Sequence, residues 1–309
     1  MTQTYKQINL ISNNSLVYHS EHEDPNLVDA WGIVSEDDTT FIASNGPGFV
    51  IEYEKHGAKY INVPNGGNPS GLTMNKSYGF AVTSGSKTAR SKLIVVTENG
   101  IIAAYSPSVD EFNFITVVND SVGISPSVFK GIAQLGDRIY VTDFRNAKVN
   151  SYNSSFSPIL PTAFADPSIP AGFAPFGITA IHDKLYVSYA LQDSAKHDDV
   201  AGPGNGYINV FDLNGNLLTR LVSQGPLNSP WAMIRIDDRI VVGNFGDGAI
   251  NTFTLDGCFI HDILNPNING LWGLLLKDSK LYFTAGPNSE NDGLYGYVDI
   301  YNESCNPTC

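Results

Sequence analysis

One acidic run of the sequence, KHDD at positions 196–199, brings together side chains that could do chemistry. An imidazole beside two carboxylates can act as an acid–base pair or bind a divalent metal ion. The run lies in Ala190–Gly206, which is longer than a connection between paired strands needs, so we expect this loop to have its own packing or a ligand. The same aspartates can instead cap turns and accept hydrogen bonds from loop amides. The sequence leaves both roles open for His197, Asp198 and Asp199.

Other candidate residues occur in the loops expected to lie near that run. A metal site built from His197, Asp199 and Asp247 would suit calcium or zinc, since oxygen and imidazole nitrogen ligands serve these ions. Ligand binding at the same place is predicted for a further set of polar and aromatic residues: Asp143, Arg145, Asn244, Asp247, Trp231 and Trp272. The tryptophans have an alternative role as core packing near the centre of the fold.

The stretch Ser229–Ile263 shows the element that must position these residues. Short runs of β-branched and aromatic residues alternate there with Asp-Gly-type turns, a pattern typical of β-hairpins. Three successive hairpin turns predict a four-stranded antiparallel meander. Such a meander cannot bury its apolar surface alone and needs copies of itself to pack against.

The copies occur along the whole chain. Each begins with a glycine and an aliphatic residue, preceded in most copies by a small or aromatic residue. The glycine positions, with alanine in the fifth copy, lie 39 to 60 residues apart: Gly32, Gly71, Gly131, Gly177, Ala232 and Gly273. A four-stranded repeat of this period is typical of propeller blades. The sequence therefore predicts an all-β fold, a six-bladed β-propeller of four-stranded antiparallel blades.

The two ends of the chain predict how the ring closes. The last repeat ends after its third strand at Tyr301, whereas residues 4–12 form a strand that precedes the first repeat. Pairing of the two would complete the last blade and cover an open sheet edge. We expect one propeller over residues 1–303, with blades starting near residues 29, 68, 128, 174, 229 and 269. In the C-terminal tail, 304–309, Cys305 and Cys309 either pair with each other or remain free.

Composition excludes several classes of partner. The formal net charge of −13 argues against a nucleic-acid or anionic-membrane partner. No run approaches the roughly 20 apolar residues of a membrane span, and the N-terminus lacks the basic start and apolar core of a signal peptide. We expect a soluble protein, cytoplasmic or virion-associated, although the sequence does not fix the compartment.

Several runs of residues resemble a family of uncharacterised proteins with NHL-like repeats in a six-bladed propeller. The similarity extends from Asp24 to Tyr297, and its most specific motifs are KHDDVAG at 196–202 and NFGDG at 244–248. Members occur chiefly in bacteria, often with export signals or sorting tails, and we expect relatives in large DNA viruses. The resemblance implies the propeller fold and no assigned activity. More distant propellers of similar build, such as gluconolactonases and streptogramin lyases, hold calcium or zinc at the channel mouth.

Two functions from different classes follow. The first is a non-catalytic scaffold that binds a protein, a glycan or a small ligand through its loop-rich face, as part of a cell-surface or virion assembly. The second is a metal-dependent hydrolase, lactonase or lyase with its site at the channel mouth, in which His197, Asp198 and Asp199 supply ligands or the general base. Convergence of several such side chains on the channel axis would favour the second.

Overall fold

Six small antiparallel sheets surround a central axis in the computed structural model, which describes residues 6–262 and 267–300. The inner strand of each sheet packs against the inner strand of the next, and that of the sixth sheet packs against that of the first. The predicted six-bladed β-propeller is confirmed.

The elements follow one another blade by blade. The segment that completes the last blade contains β1 (Lys6–Ser12), helix α1 (Ser15–Tyr18) and β2 (His22–Glu23). Blades one to three contain β3 (Ala30–Glu36), β4 (Thr39–Ser44), β5 (Phe49–Glu54), β6 (Gly57–Asn62), a 3-10 turn (Pro64–Gly66), β7 (Pro69–Met74), β8 (Ala81–Ser84), β9 (Lys87–Arg90), β10 (Leu93–Thr97), β11 (Ile101–Tyr105), β12 (Ile115–Asn119), β13 (Phe129–Leu135), β14 (Arg138–Asp143), β15 (Lys148–Asn153) and β16 (Pro158–Ile159). Blades four to six contain β17 (Phe173–Ile181), β18 (Lys184–Leu191), β19 (Tyr207–Phe211), β20 (Leu217–Ser223), β21 (Pro230–Ile236), β22 (Arg239–Asn244), β23 (Ile250–Thr254), β24 (Phe259–Asp262), β25 (Leu271–Lys277), β26 (Lys280–Ala285) and β27 (Leu294–Asp299).

Insertions account for the unequal spacing of the repeats. In blade two, β8 and β9 form a separate two-stranded hairpin between the inner strand β7 and its neighbour β10. In blade four, the long loop Gln192–Gly206 connects β18 with β19. Blades one to five therefore keep the same four strands while their connections differ in length, and in blade six β2 pairs parallel with β1 as a fifth strand.

The N-terminal strand closes the ring. β1 pairs antiparallel with β27, from Lys6 opposite Asp299 to Ser12 opposite Leu294. This pairing, which the sequence predicted, covers the edge of the last blade and joins the two ends of the propeller in one sheet. The tail 304–309, with Cys305 and Cys309, lies outside the described residues.

The glycine that marks each repeat lies where neighbouring inner strands approach closely. A Cβ atom at Gly71 would lie 2.8 Å from the backbone nitrogen of Ile132, and one at Gly177 would overlap the backbone carbonyl of Trp231. Because glycine alone lacks Cβ, it permits this approach of one backbone to another. At these positions the repeated glycine therefore permits the close packing of neighbouring inner strands, whereas blade five has Ala232.

Aliphatic side chains fill the space between blades. Ile208 and Val210 of blade four pack with Met233, Ile240 and Val242 of blade five, all of them buried. Full burial of one such side chain contributes about 1.5–3 kcal/mol to stability. These contacts hold the blades in a fixed relation, so loops on one face keep their relative positions.

Aromatic side chains fill the upper part of the channel, meaning the end at which the inner strands begin. Trp31, Trp231 and Trp272 pack there in one buried cluster with Phe144 and Phe176. Below them, a cavity of about 250 Å³ is lined by later residues of the inner strands.

The described segments contain no helix with the length and hydropathy needed to traverse a bilayer.

Candidate functional site

The loops on the upper face bring charged side chains together over the aromatic cluster. Three of these loops join second and third strands, and they carry Glu98 in blade two, the run 197–199 in blade four and Glu290 in blade six. Asp29 directly precedes the inner strand β3, and Lys130 lies in the inner strand β13. We call this cluster the mouth site; it consists of Asp29, Glu98, Lys130, His197, Asp198, Asp199 and Glu290.

Lys130 lies at the centre of the mouth site. Its side chain is 1% exposed, and its Nζ forms ion pairs with Glu98 and, at 3.1 Å, with Asp198 Oδ1. The same Nζ lies 5.1 Å from the centre of the Trp31 ring, a cation–π arrangement. Side chains of four blades therefore meet at one ammonium group.

The two carboxylates keep Lys130 charged. Burial lowers the pKa of its ammonium group, but Glu98 and Asp198 outweigh burial and raise the pKa above its ordinary value. Glu98 is itself held by a hydrogen bond from Asn45 Nδ2 at 2.8 Å. A buried charge of this kind is tolerated because it is paired and hydrogen-bonded.

His197 and Asp198 form a contacting pair at the rim. His197 Nδ1 lies 2.9 Å from Asp198 Oδ1, and the two side chains are 37% and 62% exposed. The hydrogen bond from His197, followed by the charge of Lys130, lowers the pKa of Asp198; the same hydrogen bond raises the pKa of His197. The pair therefore holds a negative charge on Asp198 and favours a protonated imidazole.

The long loop of blade four has its own packing. The backbone amide of His197 donates to Asp193 Oδ1 at 2.8 Å. Gln192 Nε2 donates to the carbonyl of Phe144 at 2.6 Å, and the amide of Gly202 donates to Asn228 Oδ1 at 2.7 Å. These bonds fix the loop to blades three and five and hold the imidazole over the channel end.

Burial raises the pKa of two further carboxyl groups of the mouth site, those of Glu290 and Asp199. Burial raises the pKa of Glu290 to about 7, and the negative charges of Glu98, Asp198 and Asp199 act in the same direction against the opposing charge of Lys130. Burial also raises the pKa of Asp199. Adjacent carboxyl groups with pKa values pushed in opposite directions, Asp198 down and Glu290 up, are a pattern of acid–base sites.

An aromatic floor lies directly beneath these charges. Trp31 and Trp272 stack with ring centres 3.4 Å apart, and Trp231 meets both edge-on at 5.7 Å. Both stacked indoles donate hydrogen bonds to Asp29, at 2.8 and 3.0 Å. Burial and the charge of Glu290 nevertheless raise the pKa of Asp29 well above its ordinary range. Asp29 thus ties the floor to the acidic cluster.

Sequence comparison finds relatives in a large DNA virus. The chain is 31% identical over 322 residues to "Uncharacterized protein R648" of Acanthamoeba polyphaga mimivirus, covering 96% of this chain and 80% of the relative. The chain belongs to the same family as R648. A second member of this R648 family, "Uncharacterized protein L690" of the same virus, is 29% identical over 95% of this chain and 85% of its own length. No protein-family model matches the chain.

Solved structures share the fold of the R648 family. Virginiamycin B lyase from Staphylococcus aureus has a TM-score of 0.58 at 13% identity, over 96% of this chain and 99% of the lyase. A gluconolactonase from Xanthomonas campestris has a TM-score of 0.60 at 13% identity, over 89% of this chain and 86% of that one. At such identities the likeness shows the propeller alone.

Several residues singled out in the sequence lie at strand ends and in turns of blades three and five. Asp143 is buried and accepts a hydrogen bond from Ser127 Oγ at 2.9 Å. Asp247 accepts from the amide of Ala249 at 3.0 Å, and Arg145 donates to the carbonyl of Pro126 at 3.3 Å. Asn244 donates to the carbonyl of Pro226 at 2.8 Å. These bonds shape the loops of blades three and five.

Sequence reasoning missed Glu98, Lys130 and Asp29 as site residues. Lys130 directly precedes the repeat glycine, a position occupied in the other blades by aromatic residues or, in blade two, serine. A single lysine among aromatic residues at an inward position was the available signal. Glu98 and Asp29 gave none, because only blade register brings them to the axis.

The mouth site fits a divalent metal poorly. Ligand atoms of Glu98, His197 and Asp198 lie within 4.8 Å of one another, and this cluster contains neither Asp199 nor Asp247. However, Lys130 Nζ contacts both of its carboxylates. A metal ion there would face a fixed positive charge at ion-pair distance, so the ammonium group already serves as the counter-ion.

Proposed function

We propose that this propeller binds a small ligand at the mouth site. The supporting observation is the convergence on one buried ammonium group of Glu98 from blade two, Lys130 from blade three and Asp198 from blade four. Burying charge costs several kcal/mol per ion before pairing, and perturbed pKa values cluster at functional sites. A channel that served only as a hydrated pore would not need this arrangement.

A small molecule suits the site better than a macromolecular surface does. The charged groups lie around one channel end above a rigid aromatic floor, and small-ligand sites combine apolar and aromatic surface with a few convergent polar groups. Propellers of this build include a virginiamycin B lyase solved with quinupristin. The roles in protein or glycan binding and in a surface or virion assembly stay predictions from the sequence.

The tryptophans provide the test. The chain contains three, and all of them form the floor of the mouth site. Intrinsic tryptophan fluorescence therefore reports on the mouth without background from other regions. Titration with panels of cationic, anionic and neutral metabolites should give saturable fluorescence changes for one panel.

Variants at the rim separate binding at the mouth from binding elsewhere. His197→Ala and Asp198→Asn should weaken the response about tenfold, since a hydrogen bond to a charged group contributes about 1.5–3 kcal/mol. Glu111→Gln, whose parent side chain is 63% exposed on blade two, is the matched control. An equal fluorescence change in the rim variants and the control variant would contradict the proposal. The absence of a fluorescence change with every panel of metabolites would also contradict it.

Acid–base catalysis is the second candidate function. The observation that favours it is the pKa of Glu290, raised to about 7 beside an ionised Asp198. A carboxyl group with this pKa donates and accepts protons efficiently at neutral pH. A screen of lactones and esters tests it: turnover should be lost in Glu290→Gln and kept in Glu111→Gln.

A further inference from the structure

The mouth site already contains one bound ammonium group, that of Lys130. It is held by two carboxylates and lies over the face of Trp31. These are the contacts by which proteins recognise cationic ligands: charge-assisted hydrogen bonds and an aromatic face. Lys130 thus shows which chemical group this environment accepts.

A second set of acceptors beside Lys130 has no such cation. Asp199 Oδ2 is buried without a hydrogen-bond partner, and so is the hydroxyl of Ser229, a fully buried residue. The Ser229 hydroxyl lies close enough to Asp199 to lower the pKa of that carboxyl group, without hydrogen-bond geometry to it. Glu290 belongs to the same acidic surroundings: burial raises its pKa, and the charges of Glu98, Asp198 and Asp199 act in the same direction.

Unpartnered buried polar atoms call for an explanation, since nearly all such atoms in native proteins are paired. A carboxylate oxygen only accepts hydrogen bonds, and a hydroxyl can accept as well as donate. The guest that satisfies both must therefore donate hydrogen bonds, and the surrounding carboxyl groups favour a positive one.

We propose that the ligand of the mouth site carries a primary ammonium group, which binds Asp199 and Ser229 as the Lys130 ammonium binds Glu98 and Asp198. The inference rests on the proposed function and names its ligand class. An ammonium group offers three donors on one positive charge. A divalent ion would be repelled by Lys130 about twice as strongly as a monovalent one.

The experiment compares matched small molecules by tryptophan fluorescence and calorimetry. The probes are 1,4-diaminobutane, its neutral counterpart butane-1,4-diol, and calcium chloride, all at equal ionic strength. We expect the diamine to saturate the site and the diol to bind at least about tenfold more weakly.

Two variants test the named acceptors. Asp199→Asn and Ser229→Ala should each weaken diamine binding about tenfold, whereas Glu111→Gln should not. Ser229→Ala should also leave the stability of the free protein unchanged or raised, because it removes a buried hydroxyl that lacks a partner. A purely structural serine would show the opposite stability change, and that result would overturn its assignment as an acceptor.

The outcomes separate this inference from the proposed function. Equal binding of diol and diamine, or saturation by calcium alone, overturns the ammonium inference and leaves a mouth ligand of another class. Diamine binding that persists unchanged in Asp199→Asn also overturns it. If the metabolite panels fail as well, the proposed function fails with it.

Discussion

Glu290 links the protonation of the mouth site to stability. Its folded pKa of about 7 lies above the ordinary 4.5, and the charged groups that face it are Asp29, Glu98, Lys130, Asp198 and Asp199. Between these pH values the folded chain keeps a proton that the unfolded chain releases. The contribution of Glu290 to the free energy of unfolding therefore falls as pH rises from about 4.5 to about 7.

We predict that Glu290→Gln removes this pH dependence. At pH 8 the variant should have a higher melting temperature than the native protein, because it lacks a carboxylate that lies among like charges. The difference in melting temperature should shrink toward zero near pH 5. Melting curves across this range measure it, with exposed Glu54→Gln as control. A difference independent of pH, or a variant less stable at pH 8, would contradict the assignment.

The sequence predicted those site residues that lie together along the chain. His197, Asp198 and Asp199 are contiguous, so their chemistry could be read directly. The partner of Asp198, Lys130, lies 68 residues away, and Glu98 lies 32 residues from Lys130. These three side chains come together only if the strands of their blades pair in the correct register, to within one residue. The periodicity of the sequence alone does not determine that register.

Within a blade, we expect the glycine of the inner strand to tolerate substitution least. Gly177→Ala should destabilise the protein by more than about 3 kcal/mol, because its Cβ would overlap a backbone carbonyl that has no room to move. Gly131→Ala should cost less, since its nearest neighbours lie 3.1 Å from the added atom. Urea unfolding of both variants tests the order; equal losses would show that backbone approach does not set the cost.

Repeat elements were predictable because each blade repeats one pattern of side chains. The alternation of apolar and polar residues predicted the strands, and the repeat glycine marked the inner strand of each blade, so six copies could be aligned. Ala232 replaces glycine in blade five without breaking the series. Loop paths were not predictable: the hydrogen bond from Gln192 to Phe144 joins blades whose loops have no common pattern.

Closure by β1 joins the two ends of the ring in one sheet. A chain lacking residues 1–12 would expose the edge of β27 and lose the pairing of Lys6–Ser12. We predict that this truncation lowers the melting temperature and promotes association through the free edge. Light scattering and thermal melting measure both, and a chain lacking residues 1–5, which keeps β1, is the control. A truncated chain that remains monomeric and equally stable would show that closure is dispensable.

The pairing of β1 with β27 also places both ends of the described chain on one face of the propeller. Lys6 and Asp299 are paired at the lower end of the last blade, whereas Glu98 and His197 lie on the upper face. The described chain therefore begins and ends on the side opposite the mouth. A surface attached at Lys6 or Ile300 would face away from the charged site, and a layer of molecules held in this way would present their mouths outward.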